Sequence, residues 1–247
     1  MQTAKDRLIV ALDVDSREEA LAIVQAVGKN CGTFKIGMQL HNSVGFAITE
    51  EIIALGYPVF LDLKFHDIPN TVAKASAVVT GKSVSMFTLH ASGGKSMMAR
   101  AAEEAKQKAS TMNKDIPLVL AVTILTSMNQ KTLNEEVGMD GSVEHNVLRL
   151  AKVAEEAGVG GVVASPQEIS LIRQACSENF KIVTPGVRPL WADANDQART
   201  MTPEEAMTAG ADYLVVGRPI TASANPAESA QKIIEEMEKG LQQRQLR

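Results

Sequence analysis

Little in this chain could crosslink, stack nucleobases or cross a bilayer. Cys31 and Cys176 are the only cysteines in 247 residues, far apart and without a Cys-x-x-Cys. That argues against a disulfide framework or a dithiol redox centre and fits free thiols in a reducing cytosol. Aromatics make up 4% of the residues, and the formal net charge of −4 supplies no basic face. Both argue against a nucleic-acid partner. The apolar runs are far too short to span a membrane. Residues 1–15 hold a short apolar core with acids close behind and no small-residue cleavage pattern, so no signal peptide is read. His41, His66, His90 and His145 show no paired spacing of the kind metal sites use. These absences predict a cytoplasmic protein with no nucleic-acid or membrane partner.

What is present is an ordinary globular balance, 45% hydrophobic and 22% charged. Apolar runs recur at 7–14, 33–38, 59–65, 85–90, 117–125, 160–165, 181–187 and 212–217. They lack two-residue alternation, as strands of a parallel sheet covered on both faces do. Helical patterns separate them. Ser16 with Glu19 forms a capping box for a helix ending at Gly28, and another helix is expected over 43–55. Asn70 or Thr71 is expected to cap the next, and Ser142 one that runs to 157. Thr202-Pro203-Glu204-Glu205 and Asn225-Pro226 open the last two. Strict strand–helix alternation, eight times over, predicts an α/β fold of the (β/α)8 barrel type, a single domain over residues 1–247. A doubly wound open sheet would place Gly-x-Gly-x-x-Gly after the first strand, and Val14-Asp15-Ser16-Arg17 holds no glycine.

The third run carries the most chemistry. Val59-Phe60-Leu61 is interrupted by Asp62 and Lys64, two residues apart and so on one strand face. Buried opposite charges at that spacing are costly unless paired or functional. A structural ion pair is the plain alternative. Asp67 has the wrong parity for that face and belongs to the following loop. Other polar residues also fall at strand C-terminal ends: Asp13, Lys35, His90, Thr126 with Ser127, Ser165, Arg188 and Arg218. In a barrel these ends converge on one mouth. Asp13, Lys35, Asp62 and Lys64 would then form an alternating array, with Asp62 the expected partner of Lys35. Such an array suits fixed charge against a substrate better than a neutral lysine awaiting a Schiff base. Pro185-Gly186-Val187-Arg188-Pro189 and Gly217-Arg218-Pro219 pair backbone N–H groups with guanidinium forks, at the two strand ends where barrels bind phosphate. The connection 190–201 is long enough for a lid, with Gln197 able to reach a ligand. Asp62, His66 and Asp67 form a weak set for a divalent ion, because Lys64 would compete as a cation.

Asp62-x-Lys64-x-x-Asp67-Ile68-Pro69-x-Thr71, with Leu12-Asp13 and Phe34-Lys35, resembles the orotidine 5′-phosphate decarboxylases. Pro185-Gly186-x-Arg188, Gln197 and Val216-Gly217-Arg218-Pro219 match the phosphate-side motifs of that family in order. The resemblance covers the whole chain and is to the bacterial, monofunctional form. It implies conversion of orotidine 5′-monophosphate to uridine 5′-monophosphate in pyrimidine biosynthesis, with no metal and no organic cofactor. It implies Lys64, Asp62, Lys35 and Asp67 as the catalytic charges, Lys64 supplying the proton. Asp13 and Lys35 would contact the ribose, and Thr126 and Ser127 the pyrimidine. Arg188, Gln197, Gly217 and Arg218 would hold the phosphate. Asp67 and Thr71 would reach into the neighbouring site of a homodimer. Two rivals remain: a magnesium-dependent 3-keto-gulonate 6-phosphate decarboxylase, which shares Asp-x-Lys-x-x-Asp, and a non-catalytic phosphate-binding barrel.

Overall fold

The computed structural model describes residues 2–192 and 201–246. The elements run α1 (Ala4–Arg7), β1 (Leu8–Ala11), α2 (Arg17–Val27), β2 (Thr33–Gly37), α3 (Met38–Val44), α4 (Phe46–Ala54) and β3 (Val59–Phe65). Then come α5 (Pro69–Gly81), β4 (Met86–His90), α6 (Gly94–Thr111), β5 (Leu118–Val122), α7 (Val143–Glu156) and β6 (Gly161–Val163). The chain finishes with α8 (Ile169–Ala175), β7 (Lys181–Pro185), α9 (Pro203–Ala209), β8 (Tyr213–Val216), α10 (Arg218–Thr221) and α11 (Pro226–Gln245). The strands pair in parallel in sequence order, and β8 closes on β1. This is the (β/α)8 barrel that the run spacing predicts.

The strands are buried on both faces over most of their length, which is why the runs read as continuously apolar, and the second half of β3 is half-buried. Ile9, Phe60, Met86, Leu120, Val183 and Val215 fill the barrel interior. A larger apolar shell, including Val10, Phe34, Leu61, Phe87 and Leu214, packs the outer strand faces against the helices. The capping boxes at Ser16/Glu19 and Thr202/Glu205 form as expected, and Ser142 and Asn225 cap α7 and α11.

Two local expectations are corrected. The helix expected over 43–55 is two helices meeting at Gly45, whose φ of 74° ends one and begins the next. The N-cap of α5 is Ile68, not Asn70 or Thr71. Pro69 at the first helical position has no N–H to satisfy and fixes the start by its ring. In the connection after β5, Thr132–Glu136 form a π-helical turn. The two short helices α1 and α10 lie beside strand ends, before β1 and after β8. Gln197 and most of the 190–201 connection lie outside the described residues. Among the described residues no helix is long and apolar enough to cross a membrane.

Candidate active site

Adjacent strands β1, β2 and β3 deliver the charged residues to one side of the barrel mouth. Lys35 lies in β2 and Asp62 and Lys64 in β3, while Asp13 lies just beyond the end of β1. Lys35 Nζ donates to Asp13 Oδ1 at 2.9 Å and stands 3.9 Å from Asp62 Oδ2. Lys64 Nζ donates to Asp62 Oδ1 at 2.9 Å. The order in space is therefore Asp13, Lys35, Asp62, Lys64. The alternation is as expected, but the nearer partner of Lys35 is Asp13 rather than Asp62. The Lys35 side chain is 10% exposed and that of Asp13 55%. The inner members of the chain of charges are thus shielded from salt, and the outer carboxylate meets solvent.

The end of β3 is irregular. Leu61 pairs with Phe87 and Phe65 with Leu89, so Asp62, Leu63 and Lys64 together face Thr88 of β4. Lys64 has a φ of 53°. Holding a non-glycine residue in the left-handed region costs on the order of 1–3 kcal/mol and persists only where surrounding contacts enforce it. The displaced Lys64 N–H donates to Thr88 Oγ1 at 2.9 Å, and the same hydroxyl donates to Asp62 Oδ1 at 2.9 Å. Neither Thr88 nor Gly37 stood out in the sequence, where both read as ordinary strand residues. A Cβ at Gly37 would lie 3.0 Å from Lys35 Nζ and 3.3 Å from Asp13 Oδ1, so glycine leaves room for that pair.

A pocket of about 330 Å³ opens between this array and the ends of β7 and β8. Asp13, Lys35, Asp62 and Lys64 line one side, and Gly186, Arg188, Gly217 and Arg218 the other, with Thr126 and the apolar Phe60, Val122, Ile124 and Leu125 completing the lining. Gly186 has a φ of 81°, a turn that an L side chain would strain. Arg218 is the first residue of α10. The Arg188 N–H donates to Met201 O at 3.0 Å, bringing both ends of the long connection to the pocket rim.

Three sequence-predicted residues stand outside this pocket lining. Ser127 is exposed beyond Thr126. Asp67 is exposed, with Oδ1 accepting from the Ile68 N–H at 2.6 Å, and Thr71 is exposed on α5. His90 is half-buried, with its ring centroid 5.2 Å from that of His66. Burial pushes the His90 imidazole below its ordinary pKa, the His66 and Lys64 charges add to this, and Asp62 opposes it. Among the described residues no group of three or more His, Cys, Asp or Glu is arranged to hold a metal ion, the set Asp62, His66 and Asp67 included.

A family model described as orotidine 5′-phosphate decarboxylase / HUMPS family matches residues 6–233. The orotidine 5′-phosphate decarboxylase of Heliobacterium modesticaldum is 63% identical over 98% of this chain and 99% of its own length. That of Syntrophomonas wolfei is 54% identical over 95% of this chain and 99% of its own. The crystal structure of orotidine 5′-phosphate decarboxylase from Lactobacillus acidophilus superposes with a TM-score of 0.84 at 34% identity, covering 93% of this chain and 98% of that one. With the family model spanning nearly the whole barrel and relatives matching end to end, the chain belongs to the orotidine 5′-phosphate decarboxylase family.

Proposed function

We propose that this barrel removes the C6 carboxylate of orotidine 5′-monophosphate as CO₂, giving uridine 5′-monophosphate, and that Lys64 supplies the proton. The observation that carries the reading is the chain of alternating charges facing an arginine pair across one pocket. In this reaction the C6–carboxylate bond breaks and its electron pair stays on an sp² ring carbon with little delocalisation. The barrier falls chiefly through fixed charge and positioning. The Lys64 ammonium lies against the developing carbanion and gives it a proton, forming the C6–H bond, and is reprotonated from solvent. Asp62 faces the departing carboxylate, so loss of CO₂ relieves a repulsion. Lys35 anchors Asp62 and Asp13 and contacts the ribose with Asp13. Thr126 and Ser127 face the pyrimidine. Arg188, Gln197, Gly217 and Arg218 hold the phosphate, whose remote binding energy organises the charges. Asp67 and Thr71 serve the site of a second copy in a homodimer. The chemistry requires neither metal nor organic cofactor.

The test is the loss of orotidine 5′-monophosphate absorbance in excess EDTA, with the product identified. Uridine 5′-monophosphate should form at an undiminished rate. Lys64→Ala should be folded and without measurable turnover. A requirement for added Mg²⁺ would overturn the metal-free reading, and near-normal activity of Lys64→Ala would overturn the assignment of the proton donor.

A further inference from the structure

Thr88 is fully buried and does not line the pocket, yet both of its side-chain hydrogen bonds end on the two charged residues of β3. Their polarity follows from the partners. An amide N–H can only donate, so the hydroxyl accepts from Lys64. A carboxylate accepts, so the single hydroxyl hydrogen goes to Asp62. The same Asp62 Oδ1 also receives Lys64 Nζ, while Oδ2 is the oxygen turned towards Lys35. One hydroxyl therefore ties the backbone of Lys64 to the carboxylate of Asp62 and decides which oxygen faces which lysine.

The register explains why a side chain is needed there. Three residues of β3 face one residue of β4, and the Lys64 N–H goes to the Thr88 hydroxyl in place of a ladder carbonyl. A buried N–H without a partner is destabilising, and the left-handed Lys64 needs a contact that holds it. Threonine suits both demands. Its β-branch fits a strand and restricts χ1, and its hydroxyl takes the place of the missing ladder acceptor.

We propose that Thr88 is a positioning residue for decarboxylation, its hydroxyl holding the β3 bulge so that Lys64 and Asp62 are presented in register with the reacting carbon. This deepens the reading above and rests on the roles given there to Lys64 and Asp62. Electrostatic catalysis depends on charges already in place, so a loosened pair is lost mainly from the transition state. Phosphate and ribose contacts lie elsewhere in the pocket and are left intact.

The experiment compares Thr88→Val, which keeps the shape and deletes the hydroxyl, with Thr88→Ser, which keeps the hydroxyl. Thr88→Val should lower kcat roughly 10- to 100-fold, the effect of losing a hydrogen bond to a charged group, with KM within about threefold of wild type. Thr88→Ser should recover most of kcat, a rescue that a packing role alone would not give. Uridine 5′-monophosphate affinity, read by calorimetry, should be unchanged in both. If Thr88→Val does not fold, Thr88→Ala carries the same expectation against Thr88→Ser. The proposal is overturned if a folded variant lacking the hydroxyl keeps the wild-type kcat, or if Thr88→Ser is as impaired as Thr88→Val. Lys64→Ala, assayed alongside, separates the two failures. An inactive Lys64→Ala beside an unimpaired Thr88→Val removes Thr88 alone, whereas an active Lys64→Ala removes the underlying roles as well.

Discussion

Arg188 and Arg218 stand across the pocket from the lysines, and the backbone around each differs. Arg188 follows the Gly186 turn and its N–H is tied to Met201 O, so its position depends on the long connection. Arg218 follows Gly217 at the start of α10, whose Pro219 and Ile220 are buried and whose Ile220 N–H donates to Gly217 O at 2.9 Å. A phosphate there would meet a guanidinium fork and backbone N–H groups together. Removing one charged hydrogen-bonding partner costs about 1.5–3 kcal/mol, and about 1.4 kcal/mol is tenfold in affinity. Arg218→Ala should therefore raise KM for the nucleotide roughly 10- to 100-fold, with a smaller change in kcat. Initial-rate kinetics over a wide substrate range would check this, and unchanged KM and kcat would move the phosphate elsewhere.

The elements that carry these residues are held together at the opposite end of the barrel. Asp212, 5% exposed just before β8, receives the Ile182 N–H at 2.9 Å and Arg173 Nη2 at 2.5 Å on Oδ2. Arg173 also donates to the carbonyls of Phe180 and Gly210, and Arg7 donates to the Asp212 carbonyl at 3.1 Å. Asp212, through its carboxylate and its carbonyl, thus fastens β7, α8 and α1 to the start of β8. Asp212→Ala would take the carboxylate away from the largely buried Arg173 guanidinium and from the Ile182 N–H, and breaking a buried ion pair from one side costs about 3–5 kcal/mol. Urea unfolding should show that loss, while kcat per folded molecule stays near wild type because the mouth is untouched. A loss under about 1 kcal/mol would mean that water replaces the carboxylate. Asp212 also shows where sequence reading stops. Its partners Arg7 and Arg173 are far away in the chain, so it reads only as the polar start of a strand. The strands, the capping boxes and the Asp13, Lys35, Asp62 and Lys64 array were legible because local periodicity and strand-end position encode them. Thr88 was not, since its role arises from a register shift between two strands. Nor was the break at Gly45, since glycine inside a helical pattern does not announce a positive φ.

In the whole molecule two of the residues outside the pocket lining, Asp67 and Thr71, lie together in sequence. Asp67, in the connection after β3, and Thr71, in the first turn of α5, are exposed and outside the pocket lining. Large apolar side chains are exposed beside them and after the neighbouring strand, Ile68 at 67% and Met38 at 52%. An exposed apolar rim with a carboxylate in it suits an isologous contact, in which each copy offers the same surface to the other. If each copy lends Asp67 to its neighbour, then Lys64→Ala and Asp67→Ala homodimers are both impaired for different reasons. In a mixed dimer one site joins an intact Lys64 from one chain to an intact Asp67 from the other, and the second site lacks both. Random reassortment makes about half of the dimers mixed, each with one working site of two, so activity should recover to about a quarter of wild type. Differently tagged chains, co-refolded and purified through both tags, would isolate the mixed species and double that value per dimer. Confirmed mixed dimers with no recovered activity would place Asp67 in the service of its own barrel, and the exposed rim would then have to be explained without a shared site.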